Sequence, residues 1–333
     1  MSRYLVIGSG SISRRHIANL RLLFPKAQVG CVSASGRQIN STETEATVLF
    51  SELADALLWS PIFVVVASPA PMHLEHALAF LRREIPVLLE KPLTDSLITF
   101  ESYADELLTH RHRIGVGYNL RYLPSAIRMY ELIQSDVIGS LSSISIDLGQ
   151  HLPDWRPKND YRKSVSANRK LGGGALLELS HEFDYLTWIF GKFDTVYGLV
   201  SNSGNLDIDV EDRVDILFSH SCGLVAYMHL DFLQRKATRR CKVIGSKGNI
   251  VWDLIANSIS IESSDKTEVI MSEPSYNRNQ MYLDQLLHFE ALAKGKARPL
   301  VTLESAVYTI KLIEAARESA ITKHSISLKE INE

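Results

Sequence analysis

The chain has 333 residues, of which 45% are hydrophobic and 22% are charged, and its formal net charge at pH 7 is -2. This length predicts roughly two domains of ordinary globular composition. The balanced charge gives no reason to expect nucleic acid or an anionic membrane as the main partner. Cys31, Cys222 and Cys241 are too scattered for a disulfide framework or a metal site, so we expect no metal and a reducing, cytoplasmic location.

The first third of the chain alternates short apolar strands with helices. Strands are expected at residues 4–7, 28–33, 62–67, 86–89 and 114–118. Helices are expected through residues 17–24, where Pro25 stops the first one, and at residues 73–83 and 96–110. This alternation is typical of a parallel sheet buried on both faces. The first strand starts so early that a signal peptide is not expected, and the longest apolar run, at 62–67, is too short to span a membrane.

Beyond about residue 121 the pattern changes, and strands follow one another with turns between them. These strands are expected at residues 213–218, 224–232, 240–244 and 250–254, with helices at 124–135, 280–294 and 303–320. Residues 245–249 read as the turn of a hairpin. We therefore predict an α/β domain with a parallel sheet over residues 1–122, and an α+β domain with a large, mainly antiparallel open sheet over residues 123–333.

A glycine turn follows the first strand and reads GSGSIS over residues 8–13. The strand before it and the helix after it place backbone N–H groups and a helix N-terminus under a pyrophosphate. Ser13 replaces the usual third glycine or alanine and adds one oxygen to alanine, so helix and strand can still approach closely. The turn predicts dinucleotide contacts from Gly8, Gly10, Ser11 and Ile12, with a plain tight turn as the alternative.

The second strand ends without the acidic residue that binds the adenosine ribose of NAD. Residues 33–37 read SASGR, and the first acidic residue of the chain is Glu43. Ser33, Ser35 and Arg37 therefore suit a ribose 2′-phosphate better than a bare hydroxyl. NADP(H) is the favoured cofactor, and NAD(H) stays possible.

The triplet Glu90-Lys91-Pro92 follows the strand at 86–89. A lysine at the carboxyl end of such a strand lies in the crevice where these sheets hold their ligands. Pro92 fixes its own φ and disfavours helical geometry at Lys91, so the lysine is presented by a constrained backbone. We predict a catalytic role for Lys91; a surface ion pair is the alternative.

Three glycines at 172–174 precede a predicted single helix over residues 175–190, which Gly191 ends. One side of this helix is apolar, and the other carries Glu178, His181, Glu182, Asp184, Tyr185 and Trp188. The glycine entry would let a ligand approach the helix start. His181 is therefore predicted to lie in a site, the alternative being a solvated face with an incidental histidine.

A basic tract covers residues 151–170. It contains Arg156, Lys158, Arg162, Lys163, Arg169 and Lys170 against Asp154 and Asp160. Aromatic residues interleave the cations, and guanidinium groups suit phosphate or carboxylate. We predict an anionic, nucleotide-linked sugar whose charge is held by Arg156 and Arg162 and whose ring stacks on Trp155. A solvated loop is the alternative.

Together these motifs resemble the glucose–fructose oxidoreductase / inositol dehydrogenase / MocA family. The similar segments are residues 8–16, 64–73, 90–92, 117–124, 172–185 and 243–250. The resemblance implies a Rossmann domain and an NAD(P)-dependent oxidoreductase that transfers hydride between nicotinamide and a sugar carbinol carbon. It also implies a homodimer or homotetramer through the C-terminal sheet. The basic tract is similar to that of members in bacterial surface-glycan assembly.

The resemblance also assigns residues. The family lysine falls on Lys91 and the family histidine on His181. Many members have an aspartate four residues before that histidine; here Leu177 holds that place, and a one-residue deletion would bring Glu178 into it. The implied catalytic set is therefore Lys91, His181, Glu178 and Asp184. Further implied cofactor contacts are Ser68, Pro69, His73, Glu90, Lys91 and Asn119, and the substrate would also contact Lys91, His181, Tyr118 and Arg121.

Two alternatives remain open at this point. Some proteins that resemble this family have lost turnover and act as NADP-sensing regulators, and others are polyol or inositol dehydrogenases of catabolism. Retention of Lys91, His181 and Asp184 favours chemistry over sensing. The sequence therefore predicts an enzyme that acts on CH–OH groups of a small sugar.

Overall fold

The computed structural model describes residues 1–329, and the chain divides into two compact units. The first unit contains residues 1–122 together with residues 278–310, and the second contains residues 123–277 and the chain from residue 311 onward. The predicted second domain covered all residues from 123 to 333. In the structure, residues 278–310 belong to the first unit instead.

The two sheets and the helices have the following bounds. The strands are β1 (Arg3–Ile7), β2 (Gln28–Val32), β3 (Val48–Phe50), β4 (Phe63–Val66), β5 (Val87–Leu89), β6 (Ile114–Val116), β7 (Leu141–Gly149), β8 (Thr195–Ser201), β9 (Arg213–Ser219), β10 (Val225–Asp231), β11 (Thr238–Gly245), β12 (Gly248–Asp253), β13 (Ser258–Glu262), β14 (Thr267–Ser272) and β15 (Ile326–Ser327). The helices are α1 (Ser11–Leu23), α2 (Leu53–Leu58), α3 (His73–Leu81), α4 (Leu97–Glu101), α5 (Ala104–Thr109), α6 (Pro124–Gln134), α7 (Ala175–Glu178), α8 (His181–Phe190), α9 (Gln280–Ala293) and α10 (Leu303–Thr322).

The first unit is built on a six-stranded sheet in the order β3-β2-β1-β4-β5-β6, and all its neighbouring strands are parallel. β4 and β5 are buried along their whole length, as expected for strands covered on both faces. This strand order is that of a doubly wound dinucleotide-binding fold, in which ligands bind at the carboxyl ends of the strands. β3 was not predicted, because it is short and half-buried.

Helix α9 explains why residues 278–310 belong to the first unit. Its Leu286, Phe289 and Leu292 lie in the same apolar core as Tyr4 and Phe63. The rings of Phe63 and Phe289 meet edge to face, with 5.2 Å between their centroids. Burying an aromatic side chain of this size contributes on the order of 2 kcal/mol, so the helix is held by the first sheet although it is distant in sequence.

The second unit contains a nine-stranded sheet in the order β14-β13-β12-β11-β7-β10-β9-β8-β15. β7 and β10 pair in parallel, and the other neighbours are antiparallel. The predicted hairpin is present as β11 and β12. The predicted fold class is confirmed, although β7, β8, β13, β14 and β15 were not predicted individually.

One face of this second sheet is buried and the other is open. In β10, Ala226, Met228 and Leu230 are buried, whereas the side chains between them are exposed or half-buried. Trp252 of β12 packs edge to face on Tyr185 of α8, and its indole N–H donates to Ser125 Oγ of α6 at 2.9 Å. The helices of the second unit are thus attached to one face of its sheet.

A histidine on the open face lies between two carboxylates. The Nδ1 of His229 is 2.7 Å from Asp215 Oδ1, and its Nε2 is 2.9 Å from Asp231 Oδ2. Gln234 Nε2 donates to both Asp231 and Asp147. The hydrogen bond to Asp231 raises the pKa of His229 to about 9. The hydrogen bond to Asp215 acts in the same direction, and burial acts against both.

This arrangement predicts a pH dependence of stability. The pKa of folded His229 lies above the unfolded value of 6.5, so its stabilisation is complete below about pH 6.5 and is lost as the pH rises through about 9. The contribution is on the order of 3 kcal/mol. Thermal unfolding of wild type and His229→Gln should show a gap between their midpoints that narrows from about pH 6 to about pH 9.5. A constant gap would contradict this.

Within residues 1–329, none of the helices is both long enough and apolar enough to cross a membrane.

Candidate active site

The predicted cofactor residues of the first unit lie at the carboxyl edge of its sheet. Each follows a different strand: Gly8 and Gly10 follow β1, Ser33 and Ser35 follow β2, Ser68 and Pro69 follow β4, Glu90 and Lys91 follow β5, and Tyr118 and Asn119 follow β6. Because neighbouring strands of this sheet are parallel, the loops after all five strands open on the same edge. The fold therefore brings together, in one crevice, side chains that are up to about a hundred residues apart.

The glycine turn is shaped for close approach. Gly8 has φ +116, and a Cβ there would lie 2.6 Å from the carbonyl oxygen of Ala67. A Cβ at Gly10 would meet nothing within 4 Å, so a ligand can come close to the backbone at that point. Ser13 is fully buried with its hydroxyl 3.3 Å from the Ala67 carbonyl oxygen, which shows how serine is accommodated in place of the usual glycine.

Helix α1 begins directly after this turn, so its N-terminus lies at the glycine turn. Gly10 is the N-cap residue, with no side-chain capping hydrogen bond and no acidic residue in the first turn. The backbone N–H groups of the first turn and the positive end of the helix dipole are suited to an anion. These features fit the pyrophosphate of a dinucleotide, with Ser11 and Ile12 as the N–H donors.

The adenosine end of the crevice contains an acidic residue that the sequence analysis did not assign. Arg37 donates to both carboxylate oxygens of Glu43, at 3.2 and 2.5 Å, and to Ser9 Oγ at 3.0 Å. The hydrogen bond from Arg37, with one from the Asn40 backbone, lowers the pKa of Glu43 to about 2. Glu43 lies outside the usual spacing for the ribose-binding acid, so its approach to Arg37 could be found only from the loop geometry.

The loop after β5 is tied to helix α1 through a buried pair. His16 Nε2 lies 2.6 Å from Glu90 Oε1, and Glu90 Oε2 accepts a hydrogen bond from the Lys91 backbone at 3.2 Å. Burial alone would raise the pKa of Glu90, but the hydrogen bond and charge of His16, together with the charge of Lys91, hold it below its ordinary value. A Cβ at Gly117 would lie 3.1 Å from the Glu90 Cα and the Lys91 nitrogen, so glycine lets the two loops pack closely here.

His73 connects two loops of the same edge. Its Nε2 is 2.8 Å from the carbonyl oxygen of Ser68, and its Nδ1 is 2.9 Å from that of Pro92. Burial lowers the pKa of this imidazole. His73 thus fixes the position of the loop that carries Lys91, although the sequence analysis assigned it to direct cofactor contact.

The residues after β6 are buried. Tyr118, Asn119 and Arg121 are each less than a tenth exposed. The guanidinium group of Arg121 donates to the carbonyl oxygen of Leu300 and to Ser305 Oγ. These hydrogen bonds hold Arg121 against residues 300–305 of the first unit, and its contact with substrate stays a prediction.

In the second unit the predicted single helix over 175–190 is broken. α7 ends at Glu178, Leu179 leaves helical geometry with φ −99 and ψ 23, and α8 starts at His181. Glu178 and His181 are half-buried, whereas Asp184 is fully buried. The helix break separates Glu178 from the helix of His181, so the two are not neighbours on one continuous helix face.

Glu182, which the sequence placed on the polar side of this helix, is buried in the structure. Its carboxylate is fully buried and receives two hydrogen bonds from Arg239 of β11, Nε to Oε1 at 2.8 Å and Nη2 to Oε2 at 3.1 Å. Tyr185 is fully buried as well. This side of α8 therefore packs on its own sheet, because a long basic side chain from the sheet neutralises the acid.

The space beside Gly173 and Gly174, which precede α7, is filled by other protein atoms. A Cβ at Gly174 would lie 2.4 Å from Glu211 Oε1, and one at Gly173 would lie 2.3 Å from the Val165 carbonyl oxygen. Glu211 also accepts hydrogen bonds from the backbone N–H groups of Ala175 and Leu176. The glycines thus allow the chain to approach itself closely at this point, and the ligand expected at the helix start stays a prediction.

The basic tract is partly neutralised by a segment distant in sequence. Arg162 donates to both carboxylate oxygens of Asp160 and lies 3.5 Å from Asp207, while Arg169 binds the backbone carbonyl of Asp209. The ring of Trp155 packs edge to face on Phe232. Arg156 is exposed and has no side-chain partner among residues 1–329. Of the two predicted arginines, Arg156 is therefore the one with available donors.

No group of three or more His, Cys, Asp or Glu side chains within residues 1–329 is arranged to hold a metal ion.

Two family models match the chain. The one described as "Oxidoreductase family, NAD-binding Rossmann fold" matches residues 2–118, and the one described as "GFO/IDH/MocA C-terminal domain" matches residues 127–251. Together they cover most of both units.

Individual proteins are similar over most of their length. Glucose-6-phosphate 3-dehydrogenase of Bacillus subtilis is 25% identical over 243 residues, which are 73% of this chain and 69% of that protein. Myo-inositol 2-dehydrogenase of Thermotoga maritima is 24% identical over 277 residues, or 80% of each protein. A solved structure of levoglucosan dehydrogenase with NADH and levoglucosan has a TM-score of 0.81 at 17% identity and covers 98% of each chain. That similarity shows a shared fold.

Proposed function

We propose, from the premise that the chain belongs to the GFO/IDH/MocA family of oxidoreductases, that it transfers hydride between a nicotinamide cofactor and a carbinol carbon of an anionic sugar. The observation that carries the proposal is the crevice of the first unit. There the glycine turn, the uncapped start of α1 and Lys91 open on the same sheet edge. The family, the oxidoreductase class and the NAD-binding character of the first domain are confirmed predictions; the roles of single residues remain proposals.

The chain's own residues must manage a proton. When bound, the nicotinamide accepts or supplies the hydride. Lys91, presented by the loop that Glu90 and His73 fix, would donate a hydrogen bond to the reacting oxygen and stabilise the negative charge that develops on it. His181, at the start of α8, would take the hydroxyl proton during oxidation and return it during reduction. Glu178 and Asp184 complete the proposed catalytic set.

Turnover distinguishes this proposal from the alternative of an NADP-sensing regulator. The purified chain should change the 340 nm absorbance of the cofactor with at least one member of a panel of neutral, acidic, phosphorylated and nucleotide-linked sugars and inositols. A sensor would bind the nucleotide and show no turnover with any of them. Preference for a free inositol would instead favour the polyol dehydrogenase of catabolism.

The proposed cofactor is NADP(H), with NAD(H) as the alternative. Arg37, Ser33 and Ser35 lie at the end of β2, where a 2′-phosphate would be held. Glu43 opposes this preference, because its carboxylate already pairs with Arg37 and would repel the phosphate. The balance between Arg37 and Glu43 therefore sets the specificity in this proposal.

Substitutions of Arg37 and of Glu43 should shift the preference for NADP over NAD in opposite directions. Arg37→Ala is expected to weaken NADP binding by about one to two decades, the value of a charge-assisted contact, and to leave NAD binding nearly unchanged. Glu43→Gln should raise the preference for NADP. Titrating both cofactors against intrinsic fluorescence measures this. Arg21→Ala, which removes another exposed Arg–Glu pair of the first unit, is the control. Tighter binding of NAD by the wild type would contradict the proposal.

The proposed substrate class rests on Arg156 and its neighbours. Arg156, Lys158 and Lys163 are exposed on one short tract, and a relative of this chain is named for a phosphorylated sugar. A nucleotide-linked sugar would bring both a pyrophosphate and a ring. We further propose a place in bacterial surface-glycan biosynthesis, which rests on the similarity of the tract to such family members.

Arg156 and Arg162 are expected to contribute unequally to binding of the anionic sugar. Arg156→Ala is expected to raise KM for the anionic sugar by about tenfold. Arg162→Ala should have a smaller effect, because Asp160 and Asp207 already occupy its donors. Steady-state kinetics with an acidic and a matched neutral sugar test this, since the neutral sugar should be insensitive to both variants. Equal efficiency on the two sugars in the wild type would refute the anionic class.

The proposed assembly is a homodimer or homotetramer through the open face of the second sheet. Leu199, Leu217 and Tyr227 are 48%, 46% and 43% exposed on that face. A second copy of the chain would cover this apolar surface.

We place the protein in the cytoplasm, which suits its three free cysteines.

A further inference from the structure

The first unit contains a cavity of about 780 Å³ that none of the roles above uses. We name it the basal cavity; its lining is Glu84, Pro86, Arg111, His112, Arg113, Leu292, Ala293, Gly295, Ala297, Arg298, Pro299, Thr302 and Glu304. Its volume falls within the range of small-molecule sites, roughly 300–1,000 Å³. It belongs wholly to the first unit.

The basal cavity lies at the edge of the sheet opposite the cofactor crevice. Pro86 directly precedes β5, and residues 111–113 directly precede β6, so these lining residues mark the amino ends of the two strands. Lys91 and Asn119 follow the carboxyl ends of the same strands. Each strand has three residues and spans about 10 Å. A ligand in the basal cavity would therefore occupy a site separate from that of the cofactor.

Cations surround this cavity. Arg111 lies 3.6 Å from Glu304, so this ion pair is loose. Arg113 is held more firmly, because its Nη1 donates to the Glu84 backbone carbonyl oxygen and its Nε donates to His112 Nε2 at 3.1 Å, while the Glu84 carboxylate lies 3.6 Å away. Arg298 is exposed and has no side-chain partner in the described part of the chain. The chain also has no acidic residue between positions 290 and 304, where Lys294, Lys296 and Arg298 lie. The rim thus has three guanidinium groups against two carboxylates, with Lys296 in the loop beside them.

Apolar side chains supply the other part of the lining. The apolar lining residues are Pro86, Leu292, Ala293, Ala297 and Pro299, which offer a hydrocarbon surface in the same cavity. Apolar walls with a few convergent polar groups are the usual composition of a small-molecule site. Guanidinium groups bind phosphate oxygens in a planar, bidentate manner.

We propose that the basal cavity is a second ligand site, which binds a phosphorylated small molecule with an apolar or ring portion. The phosphate lies between Arg111, Arg113 and Arg298, and the ring portion rests on the apolar wall. Occupancy is independent of the dinucleotide. The proposal does not depend on the identity of the sugar or on turnover.

The test uses the full chain saturated with its cofactor, so that the pyrophosphate site is blocked. Phenyl phosphate, inorganic phosphate and benzoate are titrated by calorimetry at physiological salt. We expect saturable binding of phenyl phosphate, and binding of inorganic phosphate that is weaker by about tenfold or more because it lacks the ring. Benzoate should also bind more weakly, since a monoanion makes fewer contacts with three guanidinium groups.

Variants locate the bound anion. Arg298→Ala and Arg111→Ala change exposed side chains, and each should weaken phenyl phosphate binding by about tenfold. Arg128→Ala, an exposed arginine of the second unit paired with Glu131, should leave it unchanged. The proposal is overturned if phenyl phosphate fails to saturate, if the cofactor competes with it, or if Arg128→Ala weakens it as much as Arg298→Ala does.

Discussion

Lys91→Ala and His181→Ala are each expected to lower turnover by about 10²–10⁴-fold, the usual effect of removing a positioned acid or base. Both variants should still bind the cofactor, because the glycine turn and the start of α1 are unchanged. Steady-state kinetics on a substrate found in the sugar panel measures kcat, and fluorescence titration measures cofactor affinity. The combination of lost turnover and retained binding is what distinguishes a catalytic role from a structural one.

Matched controls make this prediction sharper. Lys26→Ala removes an exposed lysine of the first unit, and His220→Ala removes a histidine from the turn between β9 and β10. Both should keep turnover within about twofold, as expected for surface changes. If Lys91→Ala or His181→Ala behaved like its control, that residue would have no part in the chemistry.

The first unit was largely predictable from sequence because its signals are local. A strand, a glycine turn and an amphipathic helix within about twenty residues define the nucleotide crevice, and the strand before Lys91 places that lysine at the same edge. The short strand β3 was missed, since three half-buried residues carry no clear periodicity. Helix α9 was predicted as a helix but placed in the wrong domain, because its partner Phe63 is far away in sequence.

The second unit was less predictable because its decisive contacts are distant in sequence. Glu211 fills the space beside Gly174, and Asp207 adds a second carboxylate near Arg162 beyond the local Asp160, yet both acids lie about forty residues after the residues they meet. Local charge counts could not include them. Likewise, the polar side of α8 was interpreted as part of a ligand site, whereas Arg239 on β11 allows Glu182 on that side to be buried in an ion pair. Sequence motifs thus identified His181 as a candidate, but its surroundings required the fold.

Breaking the Arg239–Glu182 pair is expected to cost about 3–5 kcal/mol of folding free energy. In Arg239→Met, the fully buried carboxylate of Glu182 would lose both guanidinium hydrogen bonds and the positive charge of Arg239. The neighbouring Arg240 gives a matched control, because it lies on the same strand β11, pairs with Asp253 of β12 and has a side chain that is 63% exposed. Arg240→Met should change stability by about 1 kcal/mol or less.

The double variant Arg239→Met with Glu182→Leu distinguishes the cause of this loss. If the cost comes from the loss of the Arg239 charge beside the buried carboxylate, removing the carboxylate as well should recover most of the stability, since hydrophobic replacements of a buried ion pair are often neutral. Urea unfolding followed by near-ultraviolet circular dichroism reports on the packed Tyr185 and Trp252 of the same unit. A double variant as unstable as Arg239→Met would show that the packing of the arginine stem, and not its charge, holds α8 and the His181 at its start against the sheet.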